Sequence, residues 1–254
     1  MALRRTETTL LTYLLATLVG LSLGLLGSGG SILAVPILKY TAHLSAKEAV
    51  ATSLATVGAV SLVGTFLAAR ERRVLWKQGL LFAIMATVGT FFGVELARHI
   101  SEKVQMGAFV LVMGYAVVRM FSGGNSQSED ESEGGLVSAI AKALAVGVLT
   151  GVVGVGGGFL IVPALVALFG LTMKKATGTS LLVITINSLV GTVFYSQSVP
   201  LDWLFTGKFV VAAVTGLFLG LRWSKRVPEE RLKRVFAYLL AAVCIYTGVS
   251  EFLF

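Results

Sequence analysis

Two stretches decide how this chain is read: GLLGSGGSILAVPIL, Gly24 to Leu38, and GVVGVGGGFLIVPAL, Gly151 to Leu165. Each sets a glycine cluster between apolar, helix-length runs, and each reaches a proline soon afterwards. Inside a helix a glycine costs about 1 kcal/mol relative to alanine. A proline costs about 3 kcal/mol. A chain that carries both, twice, is built to break its helices there.

The flanks give the solvent. Of 254 residues, 56% are hydrophobic and only 13% are charged, with a mean hydropathy of +0.86. A soluble domain has roughly 45–50% apolar residues even when glycine is counted. Apolar runs of the length that crosses about 30 Å of hydrocarbon recur along the whole chain. The expectation is an all-α polytopic membrane protein in the cell (plasma or inner) membrane, multi-pass, with the lipid bilayer as its main partner. The net charge of +8 would suggest nucleic acid in a soluble protein. Here it resides in short loops, as the positive-inside rule expects, and no nucleic-acid partner is read from it. The arginines at 4 and 5 before an apolar run resemble a signal peptide, but the run is long and its later part recurs in the second half. Cys244, the one cysteine, sits in an apolar run and reads as a small buried residue.

Hydropathy predicts segments at 9–26, 31–42, 48–69, 77–98, 104–121, 136–153, 158–170, 176–197, 205–223 and 232–254. Segments 31–42 and 158–170 are too short to cross alone, since about 12 residues rise only about 18 Å. Irregular backbone at membrane depth is tolerated where it is buried in protein or lines a cavity. The stretch SGGNSQSEDESEGG at 122–135 is acidic, polar and without apolar periodicity. It reads as a flexible linker between a first membrane repeat (1–121) and a second (136–254).

The halves align without a gap at an offset of 127 residues, and 19 of the 42 positions from 24 to 65 are identical to 151–192. Gly27, Gly29 and Gly30 match Gly154, Gly156 and Gly157; Pro36 matches Pro163; Thr52-Ser53-Leu54 matches Thr179-Ser180-Leu181; SLVGT occurs at both 61–65 and 188–192. Internal repeats of about 4–5 membrane segments each, with helices broken at Gly-rich motifs, belong to secondary transporters. The basic loops swap places. AARERRVLWK (68–77) is basic where its counterpart YSQSVPLDWL (195–204) is not, and RWSKRVPEERLKR (222–234) is basic where ELARHISEKV (95–104) is balanced. That pattern predicts inverted repeats, because a parallel repeat would put one basic loop outside.

The paired G-x-x-G-x-G-G-x(5)-P motifs, each followed by Thr-Ser-Leu, resemble the TauE/SafE family of sulfite-exporter membrane permeases over nearly the whole chain. The resemblance implies a plasma-membrane permease for sulfite, sulfonates or related sulfur-containing organic anions.

An anion entering a membrane protein needs donors to replace its water. Lysine and arginine lie near segment ends, so the donors expected here are helix N-termini, with their free N–H groups and partial positive charge. Glycines allow close approach of a ligand to that backbone. The candidate substrate-binding residues are Gly27, Ser28, Gly29, Gly30 and Ser31 in the first motif and Gly154, Gly156, Gly157 and Gly158 in the second. Thr52, Ser53, Thr179, Ser180 and Asn187 join them from the helices that follow. With inversion, the two helix starts would face each other near the midplane and share one anion.

Plainer readings compete. Gly20, Gly24, Gly64, Gly89, Gly93, Gly191, Gly216 and Gly220 read as helix-packing glycines, and Trp76 and Trp203 as interfacial anchors. Hydroxyls of the Thr-Ser pairs can bond back to their own helix. Pro36 and Pro163 read as kinks or near-first-turn residues. A dinucleotide fold needs a preceding strand and a later acid, and no GxxxxGK[ST] motif occurs. No paired-Asp, zinc or Ser/His arrangement is present in the segments, so the expectation is a non-enzyme with no cofactor. No embedded acid or histidine offers a proton relay. An anion channel and a non-transporting membrane scaffold are the alternatives to a carrier working by alternating access. Homo-oligomerisation is left open.

Overall fold

The computed structural model describes residues 2–97, 99–101, parts of 104–118, 135–153, 158–197 and 199–252. Nine helices are defined among them: α1 (Ala2–Leu26), α2 (Gly29–Tyr40), α3 (Ala46–Arg70), α4 (Trp76–Ala97), α5 (Gly135–Val153), α6 (Gly158–Phe169), α7 (Met173–Ser196), α8 (Trp203–Ser224) and α9 (Glu229–Phe252). No strand occurs among the described residues. The predicted segment 104–121 is described only in part, and the linker at 122–135 lies outside the described residues except for Gly135.

Lys47–Arg70, Met173–Ser196 and Trp203–Ser224 are long and apolar enough to cross a membrane. Their starts are chemically marked. Ser45 and Glu48 form a capping box at α3: Ser45 Oγ accepts from Glu48 N (3.4 Å) and Glu48 Oε2 from Ser45 N (3.0 Å). Thr172 caps α7 through Lys175 N, and Asp202 caps α8 through Phe205 N. Each cap satisfies a backbone donor that the helix cannot. Large apolar side chains stand exposed on the outer faces, among them Leu18 on α1, Phe66 on α3, Phe91 and Phe92 on α4, Phe194 on α7 and Phe218 on α8. In water such a belt is a liability; in a bilayer it is the lipid-facing surface.

Three helix pairings organise the interior: α1 with α8, α4 with α5, and α3 with α7. The first two are made by glycine. Gly20 packs on Ala213 and Leu217, and Gly24 on Leu217 and Leu221, so α1 and α8 run parallel. Gly216 answers against Thr17 and Leu21. In α4 and α5, Gly147 packs on Ala86, and Gly89 on Leu144 and Val148. Without apolar drive between helices in lipid, close backbone approach and dispersion supply the attraction. The packing reading of Gly20, Gly24, Gly89, Gly216 and Gly220 is the one the contacts support.

The third pairing is antiparallel: Leu54 meets Gly191, Gly58 meets Ser188, and Gly64 meets Leu181. Its seam is polar for a membrane interior, with Thr52, Ser53, Thr56, Ser61 and Thr65 of α3 and Thr177, Thr179, Ser180, Thr185 and Ser188 of α7 all buried. Thr65 Oγ1 and Thr185 Oγ1 lie 3.3 Å apart across it. Cys244 is half-buried, its Sγ 3.5 Å from the Val110 carbonyl.

Candidate functional site

The site is built outward from the turn between α1 and α2. Gly27 closes α1, its N–H donating to the Leu23 carbonyl (2.8 Å), at φ +78°. That left-handed backbone suits glycine and strains any residue with a Cβ. Ser28 takes the N-cap position of α2 but makes no side-chain capping bond. Gly29 and Gly30 form the first turn, and both are buried. Gly30 has a packing role that spacing alone did not reveal: α2 folds back so tightly that Gly30 packs on the Val19 carbonyl and on Leu23 of α1. At the far end Thr12 Oγ1 donates to Thr41 Oγ1 (3.2 Å), so α1 and α2 form a closed hairpin.

The tip of this hairpin lies against α7. A Cβ on Gly27 would stand 2.7 Å from Ser180 Oγ and 2.9 Å from Thr177 Cα. Gly158, the first residue of α6, meets Ser31: a Cβ there would stand 2.5 Å from Ser31 Oγ and 3.7 Å from Ile184 Cδ1. The starts of the two short helices therefore adjoin each other over the middle of α7. Gly154, Gly156 and Gly157 lie outside the described residues.

Hydrogen bonding refines the roles of the hydroxyls. Ser31 Oγ donates to the Ser28 carbonyl (2.8 Å), Ser180 Oγ to the Thr177 carbonyl (2.8 Å), and Thr177 Oγ1 to the Met173 carbonyl (2.7 Å). These protons must turn away from their own helices before they can serve an anion. Thr179 Oγ1 accepts from Leu75 N (3.1 Å), which ties the α3–α4 loop to α7. Thr52 and Ser53 are buried at the corresponding level of α3. Asn187 is half-buried, its amide oxygen position 2.8 Å from Thr87 Oγ1 on α4, which is also 2.8 Å from the Ala83 carbonyl. One hydroxyl proton serves one acceptor best. With the amide turned so that its NH2 donates to Thr87, both bonds are satisfied.

Pro36 and Pro163 fall inside α2 and α6 rather than in their first turns. Each removes one backbone donor from a helix that is already short. Trp76 and Trp203 head α4 and α8 and are exposed, as interfacial anchors are.

Sequence reasoning missed three features. Thr56 Oγ1 and Ser61 Oγ on α3 are buried and make no hydrogen bond among the described residues. Thr87, the partner of Asn187, has no counterpart in the repeat that would have flagged it. The third is where the basic α3–α4 loop makes its contacts. Arg73 packs on Gly178 of α7 and pairs with Glu71 (2.6 Å), which also pairs with Lys225 beyond α8. The two basic loops, 68–77 and 222–234, therefore meet at one end of the molecule.

Long apolar helices, an outer apolar belt, and an interior that among the described residues is rich in hydroxyls and entered by the α1–α2 hairpin define a polytopic helical membrane protein with polar groups at membrane depth, the class to which transporters belong. A family model described as sulfite exporter TauE/SafE matches residues 12–247, and the chain belongs to that family. It is similar to a probable membrane transporter protein of Xylella fastidiosa (34% identical, covering 90% of each chain). It also resembles one of Bacillus subtilis (28%, 88% of this chain and 94% of the relative) and one of Methanocaldococcus jannaschii (24%, 93% and 96%). No solved structure matches the chain. The protein is a membrane transporter and not an enzyme.

Proposed function

We propose that the chain is a secondary transporter of a small sulfur-containing anion, such as sulfite or an organosulfonate, in the cell membrane. It works by alternating access, with the anion held where α2 and α6 begin. The observation that carries this reading is the meeting of Ser31 with Gly158 over Ile184. Each helix start carries about half an elementary positive charge. Two together offer about one unit, which suits a monoanion better than sulfate. None of the candidate residues bears a formal charge, so the site avoids the cost of a buried cation.

Alternating access needs two units that can rock against each other. The reading takes residues 1–121 and 136–254 as inverted repeats. Gly20 on Ala213 and Ala86 on Gly147 are the same contact with each residue displaced by 127 positions and exchanged between halves, and so are Gly64 on Leu181 and Leu54 on Gly191. The antiparallel course of α3 and α7 and the meeting of the two basic loops support the same conclusion. Under the positive-inside rule that basic end faces the cytoplasm. For outward movement the inside-negative potential contributes about 2.3 kcal/mol per charge per 100 mV.

The test is counterflow in proteoliposomes loaded with sulfite or a small organosulfonate, with sulfate and chloride as controls. Saturable, trans-stimulated uptake of one sulfur anion is the expected result. Flux without trans-stimulation would make the protein a channel. No flux from folded protein would leave the glycine clusters as packing.

A further inference from the structure

At the basic end of the molecule, α1, α8 and α9 leave a hollow of about 260 Å³. It is lined by Leu25 and Leu26 of α1, Trp223 of α8, Arg226 and Val227 of the loop that follows, and Leu232 and Val235 of α9. All but one of the lining side chains are uncharged; the exception is Arg226. Trp223 and Val235 are each more than half exposed, so the hollow opens at the surface of the molecule.

The geometry points to a bound anionic phospholipid, with its phosphate on Arg226 and a stretch of one acyl chain in the hollow. We propose this as a resident lipid site, independent of the anion pathway. Two observations select the occupant. The first is the position of Arg226. Arg226 N and Val227 N both donate to the Trp223 carbonyl (2.9 and 3.1 Å), which fixes the backbone turn at the end of α8, and Arg226 and Trp223 line the same hollow. Tryptophan prefers the headgroup level, so Arg226 lies where lipid phosphates lie. The second is charge. The stretch 222–234 carries Arg222, Lys225, Arg226, Arg231, Lys233 and Arg234 against Glu229 and Glu230. Lys225 is engaged by Glu71. Arg226 has no ion-pair partner among the described residues.

An apolar hollow inside hydrocarbon gains nothing by itself, because lipid tails are as apolar as leucine. Selectivity must come from the headgroup, and basic pockets between helices on the cytoplasmic side are suited to anionic ones. The acyl chain would lie on Leu25 and Leu26, the last turn before the Gly27 break.

The experiment uses the full chain, delipidated in detergent and titrated with phosphatidylglycerol, with phosphatidylcholine of the same chains, or with inorganic phosphate, following thermal unfolding. Phosphatidylglycerol alone is expected to raise the melting temperature. Arg226→Gln should weaken its apparent affinity about fivefold, the effect of one cation near a membrane surface. Val235→Trp, which fills the hollow from its exposed edge, should abolish the shift. Equal shifts with phosphatidylcholine, or the same shift with phosphate alone, would overturn the proposal. Should either variant fold poorly, native mass spectrometry of the unmutated chain decides: one retained phosphatidylglycerol per chain is expected, and none retained refutes the site.

Discussion

If glycine holds α1 on α8 and α4 on α5, adding one methyl group should rank the variants by what that group strikes. At Gly20 a Cβ would fall against the Ala213 carbonyl, 2.6 Å from its carbon and 2.9 Å from Leu217 N. At Gly147 it would stand 2.7 Å from Ala86 Cα and 2.8 Å from its carbonyl carbon. Carbon atoms rest about 3.5–4.0 Å apart, so each pair of helices must separate by about 1 Å, and backbone cannot rotate aside. At Gly64 the nearest atoms are the methyls of Leu181, 3.1 and 3.3 Å away, which can shift by tenths of an ångström. At Gly207 nothing lies within 4 Å. Overpacking costs about 1–3 kcal/mol, while replacing a helical glycine with alanine contributes about 1 kcal/mol. Gly207→Ala should therefore stabilise by about 1 kcal/mol. Gly64→Ala should be near neutral, and Gly20→Ala and Gly147→Ala should each lose about 2 kcal/mol. At about 2–4 °C per kcal/mol for a chain of this size, thermal unfolding in detergent should separate the extremes by roughly 6–12 °C. Gly20→Ala melting together with Gly207→Ala would refute the close-approach argument.

Three further outcomes follow from the site. Gly27→Ala must place a Cβ at φ +78° and against Thr177 and Ser180; the left-handed backbone alone costs about 1–2 kcal/mol, and sulfite counterflow should fall at least about tenfold. A double-mutant cycle of Asn187→Leu and Thr87→Val, read by unfolding, should give a coupling of about 0.6–1.7 kcal/mol, the range for hydrogen bonds between membrane helices; a value near zero would deny the bond. Thr56→Val removes a buried hydroxyl that makes no bond and keeps its shape, so the melting temperature should hold or rise by an amount equivalent to about 1 kcal/mol.

Much of this architecture was legible in the sequence because glycine, proline and charge act locally. The first glycine cluster marked the tip of the α1–α2 hairpin, and the two basic loops stood out by charge, but that they touch through the Glu71–Lys225 pair was not read from the sequence. The apolar belt followed from composition. What stayed hidden was partner choice. α1, α4 and α8 are apolar around most of their circumference, so periodicity does not say that α1 lies on α8 rather than on α4. Gly30 looked like a ligand-facing residue and is also a packing residue, because a glycine that admits a ligand and one that admits a neighbouring backbone read alike. Asn187 was singled out by its polarity, but its tie to Thr87 joins helices 100 residues apart in sequence. The bonds from Ser31 and Ser180 to carbonyls of their own helices also need coordinates, since a hydroxyl facing its own helix and one facing a ligand have the same sequence.

The claim at the centre of this account is that the anion sits between the starts of α2 and α6. Its most direct test is equilibrium binding of radiolabelled sulfite to purified Gly158→Val, whose side chain would crowd Ser31 Oγ, against the unmutated chain and Gly207→Ala, each checked for a cooperative melt. The account predicts that Gly158→Val, destabilised but still showing a cooperative melt because Ser31 Oγ can turn aside, loses at least about tenfold in affinity, about 1.4 kcal/mol, while Gly207→Ala binds as the unmutated chain does. Unchanged affinity in a folded Gly158→Val protein would place the anion elsewhere and contradict the account.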